Sequence, residues 1–137
     1  MDALEALERF KSTGETKQVK QFKDTPSLKF DKKGGQFVIG TFLQRRDLKE
    51  GSKAGKSVIE LALIDTNATF TVKNGENYDA VSVNPGDKVA IFAPTALDNF
   101  MRNVASNVEV YISCAGKVKE VKNGKAIEFY KFDVRIK

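Results

Sequence analysis

The chain has 137 residues, 41% of them apolar, with one cysteine, no histidine and a formal net charge of +5. That suits a single domain with one core, and the lone Cys114 excludes an internal disulfide framework and a cysteine-based zinc site. Without histidine the commonest general acid/base and metal ligand are missing, and Glu60, Asp65, Asp79, Asp87, Asp98 and Glu109 form no recognisable cluster, so the composition argues against an enzyme and implies no catalytic residue, metal or cofactor.

No run approaches the length of a membrane-spanning helix and no secretory pattern opens the chain, so a cytoplasmic location is expected, the host cytoplasm if the protein is viral. Residues 2–11 place Ala3, Leu4 and Leu7 near helical spacing, with acids early and bases late. Such a helix is too short to be stable unless it docks. Residues 12–35 are polar, lysine-rich and without pattern, which predicts a loosely attached basic arm. The expected division is a helix and flexible arm over 1–34 and a β domain over 35–137.

From Phe37 the texture changes. FVIGTFLQR (37–45) reads as a strand in which Gly40 marks a bulge or bend. VIELALID (58–65) alternates, with Ile59, Leu61 and Leu63 on one face. TFTVKNG (69–75) and YDAVSV (78–83) read as a hairpin turning at Asn74-Gly75. Asn84-Pro85-Gly86-Asp87 is a turn before the strand KVAIFA (88–93), and Pro94-Thr95 opens a helix with Leu97, Phe100, Met101 and Val104 at helical spacing. VEVYISC (108–114) and IEFYKFDVRI (127–136) are two further strands; Cys114 in the first reads as a small buried hydrophobe. Short strands with one late helix fit a mainly β, Greek-key barrel of OB type, the helix lying between the third and fourth barrel strands.

The positive charge collects on connections. Residues 44–57 hold five Lys/Arg against two acids, residues 117–125 hold four against one, and the stretch 58–116 between them holds three bases and seven acids. Two basic loops on a neutral-to-acidic β scaffold suit a ligand with a row of negative charges.

The last hairpin carries a register prediction. Strand 108–114 buries even positions, as does strand 127–136 (Phe132, Val134, Ile136). A two-residue Asn123-Gly124 turn would pair even with odd. A three-residue loop, Lys122-Asn123-Gly124, restores even-to-even pairing and sets Cys114 opposite Phe132 and Ile112 opposite Val134. Tyr111, Lys117, Lys119, Phe129, Lys131 and Arg135 would then share the other face, aromatics interleaved with bases as stacking and phosphate neutralisation require.

From Gly35 onward the arrangement resembles small bacteriophage OB-fold single-stranded DNA-binding proteins. The features are the glycine-containing first strand (37–45), a basic loop after it, the APTALDNFM stretch (93–101), a strand ending in Gly116-Lys117 and a closing Phe129-Tyr130-Lys131-Phe132-Asp133-Val134 run. The resemblance implies that the first loop and the final hairpin flank a groove for single-stranded DNA. Two departures stand out: the chain ends DVRIK rather than in an acidic partner-recruiting tail, and it has no tryptophan for stacking.

The expectation is a non-enzymatic domain binding single-stranded DNA with little sequence preference, serving replication, recombination or repair. Arg45, Arg46, Lys49, Lys53 and Lys56 would grip phosphates from one side and Lys117, Lys119, Lys122 and Lys125 from the other. Phe92, Tyr111 and Phe129 would stack bases, with Lys131 and Arg135 beside them. RNA on the same barrel is one alternative. A protein-interaction or assembly module with merely solubilising lysines is another. A homo-oligomer and replication or recombination proteins are further candidate partners; no membrane is implied.

Overall fold

The computed structural model describes residues 2–14, 25–48 and 57–137. Helix α1 (Ala3–Ser12) forms where the apolar spacing predicts, capped by the Asp2 side chain, which accepts from the Glu5 N–H at 2.9 Å. None of its residues is buried, and Leu4, Leu7 and Phe10 are exposed.

The remainder is mainly β. Strands β1 (Ser27–Leu28), β2 (Gln36–Asp47), β3 (Ser57–Thr66), β4 (Phe70–Asn74), β5 (Asn77–Val81), β6 (Lys88–Ala93), β7 (Glu109–Lys122) and β8 (Lys125–Ile136) form one sheet in the order β5-β4-β1-β6-β3-β2-β7-β8. The short helix α2 (Thr95–Met101) follows β6 and contacts both β6 and β8. Leu97 and Met101 plug it into the core, whereas Phe100 is half exposed. Ile59, Leu61 and Leu63 from β3, Val89 and Ile91 from β6, and Val110, Ile112 and Cys114 from β7 build the same core, as period-2 alternation dictates. Burial pushes the Cys114 thiol pKa up.

The sheet curls into a half-barrel. Phe30, just beyond β1, meets Phe132 of β8 edge to face at 5.3 Å between ring centroids, although four strands separate β1 from β8 in the ladder. Residues 25–35 therefore do not behave as the expected loose arm. β1 pairs parallel to β6 and antiparallel to β4, and Pro26, Leu28 and Phe30 are buried. Apolar side chains at alternate positions 26, 28 and 30 are the strand signal, masked in the sequence by the lysines around them.

Two bends shape β2, with register shifts against β3 at Ile39/Gly40 and at Phe42/Gln44. The Asn84–Asp87 turn forms as expected, Asp87 N–H donating to the Asn84 carbonyl at 3.0 Å. The β4–β5 turn falls one residue later than predicted, at Gly75-Glu76, with Asn74 opposite Asn77.

The β7–β8 hairpin has the predicted pairs Cys114 with Phe132 and Ile112 with Val134. The expected three-residue loop is not how they arise. Lys122 pairs with Lys125 across a two-residue turn, in which Asn123 and Gly124 have φ of 54° and 76°, as a type I′ turn demands. Parity is instead corrected inside the strand, where Ala115 is bulged between Cys114 and Gly116. At that bulge the lead-in chain crosses β7 at backbone contact: Lys117 N–H donates to the Lys32 carbonyl at 2.9 Å and Gly35 N–H to the Cys114 carbonyl at 2.8 Å. Ile136, expected inside, is exposed on the outermost strand although its partner Val110 is buried.

Gly116 has φ 97°, and a Cβ there would lie 2.6 Å from the Lys32 oxygen. Gly116→Ala is therefore expected to cost about 2 kcal/mol or more, through left-handed backbone strain plus displacement of the crossing chain. Gly14→Ala, with no described residue within 4 Å of the added Cβ, should stay within about 0.5 kcal/mol of the parent. Denaturant unfolding of both variants checks this.

Candidate nucleic-acid interface

The bulge at Ala115 decides which side chains share a face. Up to Cys114 even positions of β7 point to the core; beyond it the parity reverses, while β8 alternates without interruption. Lys117 thus pairs with Tyr130 and Lys119 with Glu128, and Val118 and Glu120 oppose Phe129 and Ile127. The predicted grouping of Lys117 and Lys119 with Phe129 and Tyr111 is corrected accordingly: the lysines lie on the other face of the ribbon. Lys117 Nζ sits 5.6 Å from the Tyr130 ring centroid, within cation–π range.

Tyr111 and Phe129 occupy the outer face of β2, β7 and β8, each half-buried. Tyr111 is near-parallel to Phe37 at 6.5 Å between centroids and lies opposite Arg135, whose guanidinium is hydrogen-bonded to Asp133 at 3.1 Å. Lys131 is exposed on this face opposite Gly116, and Lys122 and Lys125 are exposed at the ribbon tip. Lys49, Lys53 and Lys56 lie outside the described residues. The residues on either side of their segment, Asp47 and Ser57, are paired across β2 and β3.

A groove of about 570 Å³ opens where β8 curls back toward β1 and β6. Phe92, Tyr130, Phe30, Tyr78, Lys29 and Ser57 are among the residues that line it. None of its described lining residues is acidic. Phe92 reaches this surface because Val89 and Ile91 take the core side of β6. It belongs to a cross-strand row in which Arg46 pairs with Val58 and Val58 with Phe92, with Lys29 one residue beyond the Leu28–Ile91 pair. Tyr130, Tyr78 and Lys29 were not selected from the sequence. Tyr130 keeps the core-side parity of Phe132 on β8, packs partly against the core and lines the groove where that face opens, so alternation assigns it to the core. Gly116 within a strand is a cue for the bulge that brings Lys117 to the same face.

Two carboxylates govern the arginines. Asp98 on α2, 7% exposed, accepts from Arg45, from the Ser57 hydroxyl at 2.7 Å and from Arg102 at 3.0 Å. Arg45, expected to be available to a ligand, instead binds the end of β2 to α2 and also reaches Asp47 at 3.0 Å. Glu60, 3% exposed on the outer face of β3, accepts from Lys88 Nζ at 2.9 Å and from Gln44, with Arg46 Nε 3.5 Å away. Burial is the largest single influence on Glu60 and acts upward, but Lys88, Gln44 and Arg46 together hold its carboxyl below the usual range. Arg46 and Lys88 remain half exposed, so this pair of cations keeps a surplus positive charge beside the Phe92 row.

No group of Asp, Glu or Cys among the described residues is placed to hold a metal ion, and no described helix is long and apolar enough to cross a membrane. Comparison with protein-family models, curated proteins and solved structures returned no match.

The Arg45 hydrogen bond, with help from Ser57 and Arg102, lowers the Asp98 pKa from 3.8 to about 2. A folded-state pKa below the unfolded one contributes stability that is complete above the unfolded value and lost as pH falls through the folded one, here on the order of 2 kcal/mol. Asp98→Asn is expected to be less stable by that amount at pH 7 and to show a flatter stability profile between about pH 4 and pH 2 than the parent. Unfolding curves across that interval provide the check.

Proposed function

We propose that this chain is a non-enzymatic OB-type barrel that binds single-stranded DNA with little sequence preference, as the bacteriophage proteins it resembles do. The connectivity supports the barrel. β2, β3 and β6 form a meander, β2 also pairs with β7, β7 pairs with β8, and α2 enters the chain between β6 and β7. In OB folds the ligand lies over the second and third barrel strands, between the first-to-second and fourth-to-fifth loops. Here those strands are β3 and β6; the β2-to-β3 connection lies outside the described residues beyond Leu48, and the fourth-to-fifth connection is the 123–124 turn.

The observation that carries the proposal is a groove lined by Phe92 and Tyr130 with no acid among its described lining residues. Lys29, just after β1, lines it, and Tyr130 stands at the base of the ribbon bearing Lys117, Lys119, Lys122 and Lys125. Aromatic faces with cations on two sides meet the needs of unpaired bases on a phosphate chain. Paired bases cannot offer those faces, so single strands should be preferred over duplex.

Titration of labelled dT oligomers, with rU oligomers and duplex as competitors at two salt concentrations, tests this. The parent should bind dT with affinity falling steeply in salt, at a logarithmic slope of about −0.7 for each phosphate neutralised. Tyr130→Ala and Phe92→Ala should each weaken binding by about 1–3 kcal/mol, the value of one stacked base. Replacing Lys117, Lys119, Lys122 and Lys125 by Glu should flatten the slope. Unchanged affinity in that quadruple variant would favour an assembly module, and preferential binding of rU would move the reading to RNA.

A further inference from the structure

The β4–β5 hairpin has two chemically distinct faces. Phe70, fully buried, and the half-buried Val81 sit opposite each other and turn toward the core. On the other face Thr71 pairs with Ala80 and Lys73 with Tyr78. That second face carries one cation and one aromatic, and no acid. Asp79, the carboxylate within the β5 strand, pairs with Val72 on the core-side parity and is held by the Asn74 amide at 2.9 Å.

The acid-free face is continuous with the groove. Thr71 and Tyr78 line it together with Ser27 and Phe92. Ser27 pairs with both Thr71 and Ala90, and Ala90 pairs with Glu60, so the outer surface runs unbroken from β3 through β6, β1 and β4 to β5. Tyr78 is 55% exposed at the far margin, more open than a ring kept for packing needs to be. Strand spacing of about 4.8 Å puts β5 roughly 15 Å beyond β6, a distance that a bound chain crossing the strands would cover in continuing past Phe92.

We infer that this hairpin is a third arm of the binding site, with Tyr78 stacking a base and Lys73 neutralising a phosphate beyond the Phe92–Tyr130 groove. The inference rests on the single-strand reading above and gives it a direction: the strand leaves the groove across β1 and β4 toward β5, perpendicular to the sheet strands.

The test is the length dependence of affinity, measured with dT oligomers from about 4 to about 16 nucleotides, the range of site sizes for OB folds. For the parent, affinity should rise with length and then level off. A Tyr78→Ala/Lys73→Glu double variant should level off at a shorter oligomer and bind the longest one roughly five- to a hundredfold more weakly. Both side chains are exposed, so a thermal melt matching the parent's is expected and separates lost contacts from lost fold. Asp79→Asn, on the opposite face, should keep the parent's plateau length. If the parent binds but the double variant has the same plateau and affinity, or Asp79→Asn shortens the plateau equally, the hairpin is not part of the site. If the parent binds no oligomer of any length, the single-strand reading itself fails and the hairpin's role goes with it.

Discussion

Backbone meets backbone where Gly34 crosses β7 at Gly116, and much of the molecule follows from that contact. Both residues have positive φ, and a side chain on either would overlap the chain opposite. The approach lets Lys117 donate to the Lys32 carbonyl and Gly35 to the Cys114 carbonyl, so the lead-in is stitched to the middle of β7. With that segment fixed, Phe30 is delivered to Phe132 and β1 to the edge of β6, and the open sheet becomes a half-barrel. The bulged Ala115 at the same place reverses the facing of everything beyond it. Lys117 comes to the face of Tyr130 for that reason, while Tyr130 keeps the parity of Phe132 on the uninterrupted β8.

Charge in this protein is divided between structure and surface. Asp98 and Glu60 are buried carboxylates that are each met by cations. Burying an ion is costly unless partners complete its hydrogen bonding. Asp98 meets that condition with Arg45, Ser57 and Arg102, and Glu60 with Lys88, Gln44 and Arg46. A count of basic residues therefore overstates the charge open to a ligand at Arg45, whose guanidinium is occupied. It understates the charge at Lys29 and Lys73, which a segment-by-segment sum leaves outside both basic clusters.

The aromatic residues divide similarly. Tyr111 with Phe37, and Phe129 with Val118, cover the outer face of β2, β7 and β8, while Phe92, Tyr130 and Tyr78 border the groove. Tyr130 lies on the opposite face of the β7–β8 ribbon from Phe129 and Tyr111. The groove set has the lysines and lacks acids among its described lining residues. That asymmetry, rather than aromatic content, distinguishes it as the candidate interface.

Local pattern alone determined most of the elements. Period-2 alternation located β2, β3, β6, β7 and β8, helical spacing located α1 and α2, and the turn residues placed the Asn84–Asp87 corner. It also determined that Cys114, Ile112, Val110 and the odd positions of β3 face the core, because a strand with one buried face can satisfy its apolar residues in only one register. The tertiary structure decided the rest. Whether parity is restored at the turn or within the strand cannot be read from alternation, since both give the same pairs at Cys114 and Ile112; the crossing chain at Gly34 selects the bulge. Likewise β1 is two residues long, its alternation at 26, 28 and 30 is too short to define a strand among the surrounding lysines, and it forms between β6 and β4, which supply its pairing. Side-chain chemistry is written residue by residue, but which residues share a face is set by contacts between segments far apart in the chain.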